Sequence, residues 1–302
     1  MNEIAIHLEN VSKHFSYFDL KNINLALPTG QIMGFVGANG AGKSTTIRII
    51  MGLMQADSGT ATVLGQTMPK FQTQIKHHVG YSSEEMKLYA GKNLGWHMAF
   101  IKSIYPGWDD NYAKELLQRF DLNLEQKIKQ FSKGQHIKAQ LLLVLARKPK
   151  LLVLDEPTTG LDPVARQEVN NELALILKDE ERTVLFSSHN TADVEKISDQ
   201  ITFIDRGAII DTNDKESFLE NWRRIQVELP SDQPMVPTGN IVQIEQDGRL
   251  AAVISNQFCP SILEAYQQQN IKVIAVENMS LEEIFLANVN HRRQAKIVGA
   301  KS

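Results

Sequence analysis

Residues 37–45 read Gly37-Ala38-Asn39-Gly40-Ala41-Gly42-Lys43-Ser44-Thr45. The spacing fits G-x-x-x-x-G-K-[S/T], a loop whose backbone cradles nucleotide phosphates. Its flanks suit that use. The apolar run Gln31-Ile-Met-Gly-Phe-Val36 reads as a buried strand, and Ser44-Thr-Thr-Ile-Arg-Ile-Ile-Met51 reads as a helix. Gly37, Gly40 and Gly42 let successive N–H groups converge on phosphate oxygens. The helix start adds its positive dipole end. Lys43 supplies a point charge, and the Ser44 hydroxyl can face Mg²⁺.

Outward from this loop, the chain changes texture several times. Residues 3–9 and 20–27 alternate like strands of a small antiparallel sheet, and 61–65 and 79–81 read as short strands. Between about 91 and 130 the pattern is helical, with Asp109 as a cap for 111–120. A helix follows Gly134 and runs to Leu145. Then short apolar strands (151–154, 183–186, 201–204) alternate with helices (163–178, 191–197), the signature of a mostly parallel α/β sheet. Residues 201–204 and 208–211 form a hairpin around Asp205-Arg-Gly207, and a helix covers 215–221. A boundary falls near 220–225, before the proline-rich stretch Pro230–Pro237. Beyond it the pattern gives strand 225–229, hairpin 240–255, helix 260–269, strand 271–276 and helix 280–288, an α+β unit without a recognisable site.

Composition narrows the partners. The chain has 302 residues, 42% of them apolar, and a net charge of −3. That balance does not favour nucleic acid, so none is expected as a partner. Arg147-Lys148 and His291-Arg292-Arg293 are short basic spots, read as solvated faces, with 291–296 as a frayed tail or a contact for anionic lipid heads. Cys259 is the single cysteine, which excludes an intrachain disulfide and a thiolate zinc cluster and fits a reducing compartment. The N-terminus lacks a secretory signal pattern, and no apolar run approaches the roughly 20 residues of a spanning helix. The expectation is a soluble chain that reaches a membrane only through a partner.

A second constellation gives the class. Phe131-Ser132-Lys133-Gly134-Gln135 precedes a helix, Leu151-Leu-Val-Leu-Asp155-Glu156-Pro157 ends an apolar strand, and Gly160-Leu-Asp162-Pro163 and Ser187-Ser-His189 follow in order. Asp155 at a strand end suits Mg²⁺, directly or through water, and Glu156 lies one residue further on. Together with the phosphate loop, the set over residues 3–215 resembles the ATP-binding cassette (ABC) family. The resemblance implies an α/β fold: a P-loop NTPase core with an antiparallel β subdomain and a helical subdomain (about 84–147), together residues 1–221. A small C-terminal α+β accessory domain would cover 222–302.

The resemblance also implies roles. Glu156 is the general base or water-polarising group, and His189 is the switch histidine at the γ-phosphate. Gly37 through Thr45 hold ATP, and Ser44 and Asp155 hold Mg²⁺. Ser132, Gly134 and Gln135 belong to a signature that binds the ATP of a second subunit, and Asp162 communicates across that dimer. Phe15 is the aromatic for adenine, with Tyr17 as competitor. Two positions depart from the family pattern. Lys133 replaces a glycine and either points outward or adds charge near the phosphates. Glu84 stands where a magnesium-sensing Gln is expected, and its acidic oxygen can still meet Mg²⁺ or its waters.

Glu84, the Ser-Lys-Gly signature, Tyr105-Pro-Gly-Trp-Asp109 and the ending Ser280-Leu-Glu-Glu-Ile-Phe285 resemble the branch whose cassettes pair with separate type-2 permeases. The expected function is therefore an ATP-hydrolysing subunit that dimerises around two ATP and drives an integral membrane permease, as an exporter. It would sit in the cytoplasm, peripheral on the inner face of the cell membrane. Residues 84–130 would receive the permease, with Met86, Leu88, Tyr89, Leu94 and Trp96 either in that contact or in the subdomain core. The rival reading is a non-transport cassette acting as a nucleotide switch on ribosomes or DNA. Such proteins carry paired cassettes, zinc cysteines or long coiled coils, which this sequence lacks.

Overall fold

The computed structural model describes residues 3–176, 182–237 and 239–299. They divide into two compact units, Met1–Asp199 with Ile204–Ile209, and Gln200–Phe203 with Ile210–Ser302.

The first unit opens with β1 (Ile4–Phe15) and β2 (Phe18–Pro28), paired antiparallel with Ile6 opposite Leu27 and Leu8 opposite Leu25. Alternation drives this pairing: Ile6, Leu8, Ile23, Leu25 and Leu27 are all buried on one face. Next come β3 (Ile32–Val36) and α1 (Lys43–Ile50). Strands β4 (Ser58–Val63) and β5 (Gln66–Thr67) complete a sheet of order β2-β1-β4-β5. The short α2 (Gln72–Ile75) leads into β6 (Val79–Ser83).

Three helices follow, each started by a polar cap. Asn93 accepts from the Trp96 N–H at the head of α3 (Leu94–Ile104). Asp109 accepts from Asn111 and Tyr112 at the head of α4 (Asp110–Arg119), as its sequence position predicts. Ser132 caps α5 (Lys133–Leu145). Of the apolar residues expected at a partner surface or core, Leu94 is buried and Tyr89 is exposed.

The parallel part is built from β3, β6, β7 (Leu151–Asp155), α6 (Pro163–Ile176), β8 (Thr183–Ser188) and α7 (Thr191–Ile197). Residues 177 and 178 of the expected 163–178 helix lie outside the described residues. Strands β3, β7 and β8 are buried at every position, which is why their central residues are apolar, with buried polar residues at the carboxyl ends of β7 and β8. A Cβ on Gly34 would sit 2.0 Å from a Val194 methyl, so a glycine lets α7 close on β3. Register decides where the chemistry can sit. Val36 lies opposite Ser188, Ser187 opposite Asp155, and Asp155 opposite Ser83. The loops after these four strands therefore leave side by side at the carboxyl edge, where open α/β sheets bind ligands.

The chain passes between the units along the hairpin β9 (Gln200–Asp205) and β10 (Ala208–Asp214). Arg206 and Gly207 both have positive φ (46° and 75°), as a tight two-residue turn requires. The second unit continues with α8 (Lys215–Asn221), β11 (Arg223–Glu228), β12 (Ile241–Asp247), β13 (Leu250–Ser255), α9 (Pro260–Gln268), β14 (Lys272–Asn278) and α10 (Leu281–Gly299). Its antiparallel sheet has order β12-β13-β11-β14, and Ile225, Val227, Val253, Ile262 and Tyr266 form its core. Helix α10 outruns the expected 280–288. It carries the basic run at 291–296, so the frayed-tail reading is corrected; His291 Nδ1–H donates to the Val242 carbonyl at 3.0 Å. Among the described residues, no helix is long and apolar enough to cross a membrane.

Candidate functional site

The loop after β3 turns sharply into α1. Gly42, at the α1 N-cap, has φ 114°, and Gly40 has φ 78° with open space where a Cβ would stand. Side chains other than glycine rarely adopt those angles. The result is a shallow cradle of backbone N–H groups at a helix start, a fit for phosphate oxygens.

Lys43 is buried and points back along this loop. Its ammonium donates to the Gly37 carbonyl at 2.6 Å and to that of Ala38 at 3.2 Å. It also lies 3.0 Å from Glu156 Oε1, forming a buried ion pair. Glu156 follows β7 with φ 55°, a left-handed conformation held by two bonds from its N–H, to the Ser187 hydroxyl (3.0 Å) and carbonyl (3.2 Å). Its Oε2 accepts from the Thr159 hydroxyl at 2.7 Å and pairs with His189 Nδ1 at 2.7 Å. Burial works to raise the Glu156 pKa. The Thr159 hydroxyl, the Lys43 ammonium and His189 together outweigh it and hold the acid below its ordinary value. Glu156 is thus a carboxylate at neutral pH. Asp155, also buried, accepts from the Ser187 hydroxyl at 2.7 Å.

A cleft of about 610 Å³ gathers Asn39, Gly40, Gly42, Lys43, Ser44, Thr45, Glu84 and Glu156, together with Thr159, Tyr17 and Phe18. Hydroxyl and carboxylate oxygens from Ser44, Asp155 and Glu84 are the hard donors Mg²⁺ prefers, so the residues present fit that ion. On the aromatic side, Tyr17 and Phe18 line the cleft. Phe15 instead packs on Phe18 with ring centroids 6.1 Å apart.

The remaining expected residues lie on other segments. Ser132 and Gln135 form a reciprocal cap: the Ser132 hydroxyl accepts from the Gln135 N–H, and the Gln135 amide oxygen accepts from the Ser132 N–H. Gly134 is the second residue of α5 and packs near Ala165 and Leu161. Asp162 caps α6 through the Val164 and Ala165 N–H groups. Lys133 turns back to Glu84, with Nζ 2.9 Å from Oε1. Sequence reasoning missed three contributors: Thr159, Ser187 in its bonding to Asp155 and Glu156, and Phe18. Ser187 and Thr159 could have been noticed as hydroxyls beside the motif residues. Phe18 had no such signal.

Comparison with known proteins agrees with this geometry. The family model described as ABC transporter matches residues 20–159. The chain is 30% identical over 292 residues to the uncharacterized ABC transporter ATP-binding protein YhcH of Bacillus subtilis, covering 93% of this chain and 95% of that one. It is 34% identical over 211 residues to the linearmycin resistance ATP-binding protein LnrL of Bacillus subtilis, covering 68% of each. Among solved structures, the ATP-binding cassette MJ0796, described as a dimer in a post-hydrolysis state with ADP and Pi, superposes with a TM-score of 0.62. That match covers 70% of this chain and 98% of the other at 21% identity, a likeness of fold. With the phosphate loop, the Asp155–Glu156 strand end and His189 meeting at one sheet edge, the chain belongs to the ABC transporter ATP-binding protein family.

Proposed function

We propose that two copies of this chain close around two ATP molecules and drive a separate type-2 permease as an exporter. Each nucleotide is held between the loop Gly37–Thr45 of one copy and Ser132, Gly134 and Gln135 of the other. The observation that carries the hydrolytic reading is the chain of contacts Lys43–Glu156–His189, at 3.0 and 2.7 Å in one cleft. Lys43 neutralises phosphate charge. Glu156, already ionised, accepts a proton from the attacking water, and His189 positions Glu156 and faces the terminal phosphate. Ser44 and Asp155, with Glu84 nearby, would hold Mg²⁺, which would supply charge neutralisation for the bound phosphates. Tyr17 and Phe18 offer flat faces for the base, joining Phe15 as candidates. Asp162, at the head of α6, faces the second copy.

Residues 1–221 act as the nucleotide module and 222–302 as an accessory domain. The chain works at the cytoplasmic face of the cell membrane, docked on its permease through α3 and its neighbours. The resistance function named for LnrL supports export, and the transporter names of the relatives support transport over a ribosome or DNA switch. The test is Glu156→Gln. ATP should still bind while hydrolysis falls by about 10²-fold or more, the scale of general-base loss. Hydrolysis at the parent rate would remove Glu156 from this role.

A further inference from the structure

The two positions at which the sequence departs from its family pattern, Glu84 and Lys133, are 49 residues apart and meet. Lys133 Nζ lies 2.9 Å from Glu84 Oε1, and both side chains are about half exposed (51% and 54%). Glu84 follows β6 and lines the same cleft as Lys43, Ser44 and Glu156. Lys133 is the first residue of α5, so the pair ties the helix to the cleft. The Lys133 stem is itself held. A Cβ on Gly160, in the loop after β7, would lie 2.3 Å from its Nζ and 2.9 Å from its Cε, so the side chain crosses directly over that glycine. Gly160 has φ 72°. A side chain at 160 would therefore be strained in backbone and would also displace Lys133.

Resting on the nucleotide reading of the cleft, we propose that Lys133 is a positioning residue that holds the Glu84 carboxylate and competes with Mg²⁺ for it. The ion pair thereby sets the Mg²⁺ requirement of nucleotide binding. A carboxylate engaged by an ammonium must leave it, wholly or in part, to reach a divalent cation. Removing the ammonium removes that cost. A glutamine at 84, the residue the family pattern expects, could neither pair with Lys133 as an ion nor be held back by it. Lysine at 133 and glutamate at 84 thus form one functional unit.

The test is a double-mutant cycle on full-length protein, read as the MgCl₂ concentration giving half-maximal binding of a fluorescent ATP analogue. Lys133→Met keeps the stem over Gly160 and loses the charge. It should lower the Mg²⁺ midpoint by about 2- to 5-fold, the range a half-exposed ion pair supports. Glu84→Gln should raise the midpoint. In the Glu84→Gln background, Lys133→Met should leave it where it is, and Lys133→Arg alone should keep the parent value. The same shift from Lys133→Met in both backgrounds, or no shift in either, overturns the pairing. Lys43→Ala keeps the two levels apart: if it binds the analogue as tightly as the parent, the nucleotide reading of the cleft itself fails.

Discussion

At the residue scale the site is a set of opposed pulls on one carboxylate. Burial would push the Glu156 proton on; Thr159, Lys43 and His189 pull it off, and the pull wins. Because the folded-state pKa is lowered, the stability this carboxylate lends is present above its ordinary value and is lost as pH falls through the lowered one. The hydrogen bond from the Thr159 hydroxyl is the largest single lowering influence. Thr159→Val keeps the shape and removes the hydroxyl, so the Glu156 pKa should rise. Acid loss of ATP hydrolysis should then begin at higher pH than in the parent, with turnover at neutral pH less affected. A pH–rate profile checks this, and identical acid limbs would mean that Thr159 does not tune Glu156. Much of this site is legible in sequence because Lys43, Asp155, Glu156 and His189 sit in short motifs fixed by local backbone geometry. Thr159 and Ser187 act inside those same motifs, but their roles depend on the left-handed turn at Glu156, and no residue type announces that turn. The Glu84–Lys133 pair was legible only as two departures. Their meeting depends on how α5 lies beside β6.

At the scale of elements, caps and burial explain why the segments start where they do. Asn93, Asp109 and Ser132 each sit just before a helix and accept from its first free N–H groups. Asp109 was readable as a cap. Asn93 was hidden in a long helical pattern, because the break before α3 depends on a bridge between Asn93 and Lys127 and on backbone bonds from Leu94 and Gly95 to residues 126 and 124. Asn93 also holds the far side of this turn: its carbonyl accepts from His97 Nδ1–H, while His97 Nε2 accepts from the Tyr89 N–H. The helix presents Trp96 stacked on Phe100, with ring centroids 5.2 Å apart and planes within 6°. Asn93→Ala should destabilise the protein by about 1 kcal/mol, the usual worth of such a cap. Urea unfolding monitored by tryptophan fluorescence measures it. A change near zero would mean that the bridge alone sets the helix start. The same reasoning covers α10, whose extension past 288 brings His291 to the Val242 carbonyl, a contact that no local pattern contains.

For the whole molecule, the decisive question is whether the signature residues act within one copy or between two. Ser132, Gly134 and Gln135 do not line the Lys43 cleft of their own chain, although Glu84 and Glu156 do. A residue set shaped for phosphate, at a helix start beside its own chain's cleft but not lining it, is the arrangement a two-copy clamp needs. Gly134 offers a clean test, because its own chain tolerates a methyl group. A Cβ there would meet Ala165 at 3.6 Å and Leu161 at 3.7 Å, ordinary contact distances, and the position lies in a helix that favours alanine over glycine. Gly134→Ala should therefore fold with stability equal to or slightly above the parent. Built into the Glu156→Gln background, it should weaken ATP-dependent dimerisation by about 10-fold or more, since one methyl group held against a phosphate displaces a hydrogen-bonding approach worth about 1.5 kcal/mol or more. Sedimentation with Mg²⁺ and ATP separates the outcomes. Dimer at the same protein concentration with and without Gly134→Ala would place the signature outside the interface and leave Lys43 and Glu156 as a site complete within one copy.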